Sequence, residues 1–238
     1  MRTVVLDLDQ TLIRGEVADW TLWLDAISEA LGVRFTGEED WSVHPVHTDH
    51  GIVESLSQEH RGRSFGEDER AVFEAKLFAR HDAWLSRDPA MYQPIPGAGA
   101  LLSAVEGRAG LATGNLHPVT LRKLRSASLD HVRLPCQCSA PRMTREELVA
   151  SALRRVGWRG GPGTSFGDGV WDVRAARSLG LGFVGVAQSD THEAKLRAAG
   201  ARRVLRDYED LPRVLAWIDA AEVPGEEARA ESWQAPRG

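Results

Sequence analysis

The sequence predicts an α/β fold: a doubly wound parallel sheet with helices on both faces, and a small all-helical unit inserted into it. Three observations carry this. A run of β-branched and aliphatic residues, TVVLDL at 3–8, opens the chain and ends in acid, as a buried parallel strand does. Strand-like runs then disappear from about Arg14 to Pro94, where apolar residues recur at helical spacing. After that, strands and helices alternate, the pattern that builds a parallel sheet.

The elements follow in order. WTLWLDAISEALG and EDERAVFEAKLFARHDAWL are amphipathic helices of the inserted unit, the first stopped by Gly32. QPIPGAG, Gln93 to Gly99, closes that unit and starts a new helix. GRAGLATGN carries a strand ending near Thr113, and HPVTLRKLRSA a helix. A short extended run surrounds Val132 to Gln137. TREELVASALRRVG is a helix whose Thr144 and Glu147 form a capping-box pattern. GTSFGD, LGFVGVA and ARRVL are strands; VWDVRAARSLG, THEAKLRAAG and LPRVLAWIDA are the helices between and after them. This reading gives a core of residues 1–13 and 95–221, a helical cap of 14–94, and a flexible Gly- and Pro-containing tail of 222–238.

At 238 residues the chain is long for one compact domain and short for two, which fits a core with an insert. Hydrophobic residues make up 42%, enough for a packed interior. With 29 Lys and Arg against 34 Asp and Glu the net charge is −5, so no global field favours nucleic acid or an anionic membrane. An anionic ligand must be attracted locally. Cys136 and Cys138 are expected on opposite faces of an extended run, as free thiols in a reducing compartment. Asp7 and Asp9 interrupt the N-terminal apolar run and no cleavage site follows, so the expected location is cytoplasmic. No apolar stretch approaches bilayer length.

Three polar signals close hydrophobic strands: Asp7-Leu8-Asp9-Gln10-Thr11, Thr113-Gly114-Asn115, and Gly167-Asp168-Gly169-Val170-Trp171-Asp172. In doubly wound folds that edge is where ligands bind. A single Asp-x-Asp is common; three such endings in this order are not. In these motifs, VVLDLDQTL, GLATGN and FGDGVWD, the chain resembles the haloacid dehalogenase superfamily over nearly its whole length. An insert directly after the first strand resembles the phosphoglycolate-phosphatase-like branch, which implies a cap that closes over the site.

The resemblance implies a phosphatase acting on a small phosphorylated metabolite, with Mg²⁺ as cofactor. Asp7 would be the nucleophile, forming an acyl-phosphate, and Asp9 the general acid and base. Asp7, Asp168 and the Asp9 carbonyl would hold the metal, with Asp172 acting through water or by orienting the ligands. Thr113 and Gly114 would bind phosphate oxygens beside Asn115, and Thr11 would shape the turn around Asp9. A monomer or homodimer is expected.

Two departures stand out. Gln10 occupies a position where many members have Gly. No Lys-Pro segment supplies the usual third-motif lysine. Arg145, at a helix start, is preferred as that cation over Arg142 and over Lys123, which reads as a surface residue of LRKLR.

Other features read more plainly. His44, His47 and His50 are expected in a polar cap loop rather than a metal site, since Pro45 breaks a regular helix. Trp20, Trp23, Trp41 and Trp84 read as core packing of a small helical unit rather than as a substrate pocket. GPGTSFGDG lacks the Gly-Lys-Ser/Thr ending of a P-loop. Asp9 disfavours a dehalogenase, and Lys76, the cap's one lysine, disfavours a phosphonate hydrolase. A sugar phosphomutase and a non-catalytic binding protein on the same fold are the alternatives.

Overall fold

The computed structural model describes residues 1–15, 17–35, 46–131 and 133–226. Along the chain β1 (Thr3–Leu6) is followed by β2 (Ile13–Gly15), then by three helices, α1 (Val17–Leu31), α2 (Asp49–Arg61) and α3 (Glu67–Leu85), and by β3 (Tyr92–Pro94). The remainder alternates: α4 (Ala98–Ala104), β4 (Ala109–Ala112), α5 (His117–Ser126), β5 (Cys136–Gln137), α6 (Arg145–Arg155), β6 (Gly163–Gly167) and α7 (Val170–Ser178). It ends with β7 (Gly182–Val186), α8 (Asp190–Ala198), β8 (Val204–Leu205) and α9 (Leu211–Ala220).

Six strands form one sheet in the order β5-β4-β1-β6-β7-β8, every pair parallel. Every residue of β4, β6 and β7 is buried, so their runs are uniformly apolar or small rather than alternating. Strand periodicity divides the core. Val4 and Leu6 face a cluster with Leu101, Leu111 and Ile218, while Val5 faces Leu148, Leu153, Val173 and Phe183 on the other side. A third cluster belongs to the helical cap, where Trp23, Ile27, Val53, Phe73 and Leu77 pack with Leu116 and Val119 at the start of α5.

The local signals explain the ends. Gly32 takes a left-handed φ of +70° just after α1. The Thr144 hydroxyl accepts from Glu147 N–H at 3.2 Å and the Glu147 carboxylate accepts from Thr144 N–H at 2.8 Å, closing the capping box of α6. β2 and β3 pair antiparallel where the chain leaves for the cap helices and returns. At three residues each they carry too little pattern to be read in advance.

The cysteines correct the expectation. Residues two apart on a strand share a face, and the Sγ atoms of Cys136 and Cys138 lie 3.0 Å apart, both free. Of the extended run at 132–137 only Cys136–Gln137 pairs in the sheet, and Val132 lies outside the described residues. No helix among the described residues is long and apolar enough to cross a membrane.

Candidate active site

The strand order puts β4, β1 and β6 side by side, so the residues just past their carboxyl ends meet: Thr113, Asp7 and Asp168. Asp7 continues the ladder by donating its N–H to Phe166 O at 3.1 Å. The residue is 8% exposed. Beyond it the chain turns sharply, and the N–H groups of Thr11, Leu12 and Ile13 all donate to Leu8 O. Gln10 sits in that turn with φ +54°, so the geometry that usually takes glycine is formed here by a residue with a side chain. Thr11 Oγ1 lies 3.4 Å from Asp7 Oδ2. Tyr208, fully buried, donates its hydroxyl to Thr11 O at 2.7 Å and clamps the turn from the far side. Thr113 Oγ1 accepts from Asn115 N at 3.2 Å and from Asn115 Nδ2 at 2.8 Å.

Two cations meet these acids. Arg145, set at the first position of α6 by the capping box, places one guanidinium nitrogen 2.5 Å from Asp7 Oδ1 and donates from Nε to Asp172 Oδ1 at 2.7 Å. The other Asp172 oxygen accepts from Gly169 N–H at 3.0 Å. Asp172 therefore fixes the arginine and the start of α7. Arg142 is exposed.

Lys123 overturns the surface reading. It is 2% exposed, and its ammonium donates to Asp9 Oδ1 at 2.8 Å, Asp19 Oδ2 at 2.7 Å and Asn115 Oδ1 at 3.1 Å. The second Asp9 oxygen accepts from Asn115 Nδ2. The signal was in the sequence. Leu116, Val119, Thr120 and Lys123 recur at helical spacing, and all four are buried. Asp19 was missed for the same reason. It lies four residues before Trp23 and eight before Ile27, on the buried stripe of α1.

Electrostatics mark the floor as a place for added positive charge. Burial, with the charges of Asp172 and Asp9, pushes Asp7 up to about 7 despite Arg145. Burial and the charges of Asp7, Asp172 and Asp9 hold Asp168 well above the usual carboxylate range. Carboxylate oxygens of Asp7, Asp168 and Asp172 come within 4.8 Å of one another. This crowded all-oxygen donor set fits a hard divalent cation. By contrast, burial raises Asp19 but the charge of Lys123 and bonds from His81, Lys123 and Tyr92 bring it below the usual range.

The cap closes the other side. Asp49 N–H donates to Gly114 O at 2.8 Å, and its carboxylate accepts from Trp23 Nε1 at 2.9 Å and Leu116 N at 2.8 Å. A Cβ at Gly114 would stand 2.7 Å from His47 O, so glycine is required for this approach. His47 stacks on Trp171 with centroids 4.4 Å apart. His50 bonds Ser139 and Glu74 instead. The two histidines thus have separate partners, while His44 lies outside the described residues. A cavity of about 530 Å³ separates cap from core. Trp20 and Trp23 line it; Trp23 is at the same time part of the helical unit's apolar cluster, Trp84 packs against the sheet's cluster instead, and Trp41 is not among the described residues.

The model of the haloacid dehalogenase-like hydrolase family matches residues 1–180. Solved structures agree in fold. A hydrolase from Pseudomonas syringae is 21% identical, with 92% of this chain and 99% of that chain covered and a TM-score of 0.64. A predicted phosphoglycolate phosphatase from Haemophilus somnus is 15% identical, covering 90% and 98%, with a TM-score of 0.63. A hydrolase of the same family from Entamoeba histolytica is 15% identical, covering 92% and 100%, with a TM-score of 0.66. No curated protein matches the sequence. With the family model spanning three quarters of its length, the chain belongs to the haloacid dehalogenase-like hydrolases.

Proposed function

We propose that the protein is a Mg²⁺-dependent phosphatase that hydrolyses a small phosphate monoester through a phosphoenzyme on Asp7. The observation that supports this most is the meeting of Asp7, Thr113 and Asp168 at three adjacent strand ends, with Arg145 2.5 Å from Asp7.

In the first step an Asp7 oxygen attacks phosphorus, and the bond to the ester oxygen breaks. Asp9 gives that oxygen a proton, so the alcohol leaves neutral. Both Asp9 oxygens are held here by Lys123 and Asn115, so proton delivery exchanges one of these bonds for the substrate. In the second step a water gives its proton to Asp9 and attacks the acyl-phosphate, releasing phosphate and restoring Asp7. Thr113, the Gly114 N–H and Asn115 line the cavity where phosphate oxygens would lie, beside Arg145 and Lys123. Asp7, Asp168 and the Asp9 carbonyl would hold the metal, and Asp172 would steady Arg145. A bound Mg²⁺ would offset the charge of Asp7, Asp168 and the phosphate dianion.

The test is phosphate release from a panel of esters, with and without chelator. Activity is expected with Mg²⁺, lost to the assay floor in Asp7→Asn and lowered about 10²–10⁴-fold in Asp9→Asn. Inactivity of the Mg²⁺-loaded protein across the panel, or full activity of Asp7→Asn, would overturn the reading.

A further inference from the structure

The cavity above Asp7 has a cap wall of unusual chemistry. The indoles of Trp20 and Trp23 lie parallel, with centroids 5.5 Å apart and an interplanar angle of 3°. Trp20 is the outer of the two, 36% exposed. Ile52 and Leu77 continue this wall, and Trp171 faces the cavity from α7. The ring of Trp171 lies so close over the turn after β6 that a Cβ at Gly169 would stand 2.0 Å from it. The Trp171 ring is itself stacked on His47, so the flat apolar surface of this space is the cap wall with Trp20.

Four polar side chains of the same wall, Trp23, Asp49, Asp19 and His81, are engaged within the protein. Trp23 directs its N–H to Asp49 and so turns only its ring outward. Asp49 also holds Leu116 N–H. Asp19 accepts from Lys123 and from the Tyr92 hydroxyl at 2.6 Å, with His81 Nε2 at 3.3 Å. The other His81 nitrogen is 2.9 Å from Leu77 O. Among the described residues, the cap gives this cavity two aspartates and no lysine or arginine; Lys123 and Arg145 both come from core helices, next to the reacting acids.

We propose that the leaving group taken by this site is a neutral, flat, largely apolar alcohol, an arylalkyl alcohol being the type, recognised by stacking against Trp20 beside Ile52 and Leu77. The proposal rests on the phosphatase reading above and names its substrate class. Among the described residues, a leaving group with its own carboxylate meets two acids and no lysine or arginine on the cap wall, which costs affinity. A sugar would need several hydrogen-bonding groups, and those of Asp19, Asp49, Trp23 and His81 on this wall are already bonded within the protein. A ring gains apolar burial and aromatic contact, and about 530 Å³ is ample for a ring and a phosphate.

The experiment compares 2-phenylethyl phosphate with phosphoglycolate, glucose 6-phosphate and phosphocholine, all alkyl esters. We expect kcat/KM to be at least about tenfold higher for 2-phenylethyl phosphate, and Trp20→Ala to cut that preference by about tenfold, the worth of one good aromatic contact. Equal or better turnover of any of the other three, or an unchanged preference in Trp20→Ala, overturns the proposal and leaves the phosphatase reading standing. If no ester is turned over, the phosphatase reading falls. Ligand-induced quenching of tryptophan fluorescence in Asp7→Asn then decides the pocket chemistry on its own: tighter binding of 2-phenylethyl phosphate than of the others sustains it, and no preference removes it.

Discussion

Arg145 and Lys123 are both buried, at 6% and 2% exposure, yet they bind different parts of the molecule. The partners of Arg145 are Asp7, just past β1, and Asp172 in α7, both in the sheet-and-helix core. Lys123 joins Asp9 and Asn115 of the core to Asp19 of α1, and Asp19 in turn holds Tyr92 and His81. One cation positions the carboxylate proposed as nucleophile through contacts within the core alone. The other ties the carboxylate proposed as acid and base to the cap itself. Arg145 alone was expected to stand for the family's third-motif lysine; here Lys123 is buried beside the same strand ends as well.

Removing either cation strands buried carboxylates, and Arg145→Ala is the larger break because it leaves Asp7 facing Asp172. We expect a stability loss of about 3–5 kcal/mol, read from urea midpoints, and a fall of about 10²–10³-fold in kcat for every ester, whatever its leaving group. A loss that varied strongly with leaving-group pKa would place Arg145 in the proton-transfer half and undo the division.

Asp49 sharpens the comparison on the cap side. Both it and Asp19 are cap carboxylates near Lys123, but Asp19 touches the ammonium and Asp49 does not. Burial pushes Asp49 up to about 6, with Leu116 N–H, the charge of Lys123 and the Trp23 N–H only partly opposing it. Its folded value lies above the unfolded one, near 3.9. Between about pH 4 and pH 6 the folded state keeps a proton that the unfolded state has lost. Stability is therefore highest below that window and falls through it as pH rises, by on the order of 2–3 kcal/mol for this group. In Asp49→Asn the fall should be shallower, measured as the difference in urea midpoints between the two proteins at pH 4.5 and pH 7. Parallel pH profiles would show that Asp49 does not titrate there.

The uneven legibility of these regions has a physical cause. The sheet could be read because strands covered on both faces are built of apolar or small residues without alternation, and Asp7, Thr113 and Asp168 could be read because each ends such a strand. Arg145 was fixed by a local device, the box between Thr144 and Glu147 that starts its helix. The burial of Lys123 could be read from the stripe it shares with Leu116, Val119 and Thr120, but its partner Asp19, 104 positions away, is brought to it only by the folded cap. Asp49 and Trp171 gain their meaning in the same way, from contacts between cap and core. The β2–β3 pair escaped because three residues a side carry no usable period. Local and strand-end information was visible; the wiring across the cavity was not.

That wiring gives the finest test of the division. Asp19→Asn keeps the size of the side chain and can keep the bond from Tyr92, but it removes the charge that shares the Lys123 ammonium with Asp9. The core cluster of Arg145, Asp7 and Asp172 has no contact with this position and should be untouched. With Asp19 neutral, the Lys123 ammonium keeps its charge-assisted bond for Asp9, and Asp9 must give up a stronger bond to deliver a proton to the leaving oxygen. An alkyl alcohol needs that proton to leave; 4-nitrophenol, a weakly basic leaving group, does not. We therefore expect Asp19→Asn to lower kcat/KM for an alkyl phosphate about tenfold more than for 4-nitrophenyl phosphate, where Arg145→Ala lowers both alike. Equal losses on the two esters would mean that the cap contact serves only to hold the lysine in place, and the coupling of Asp9 to the cap would have to be given up.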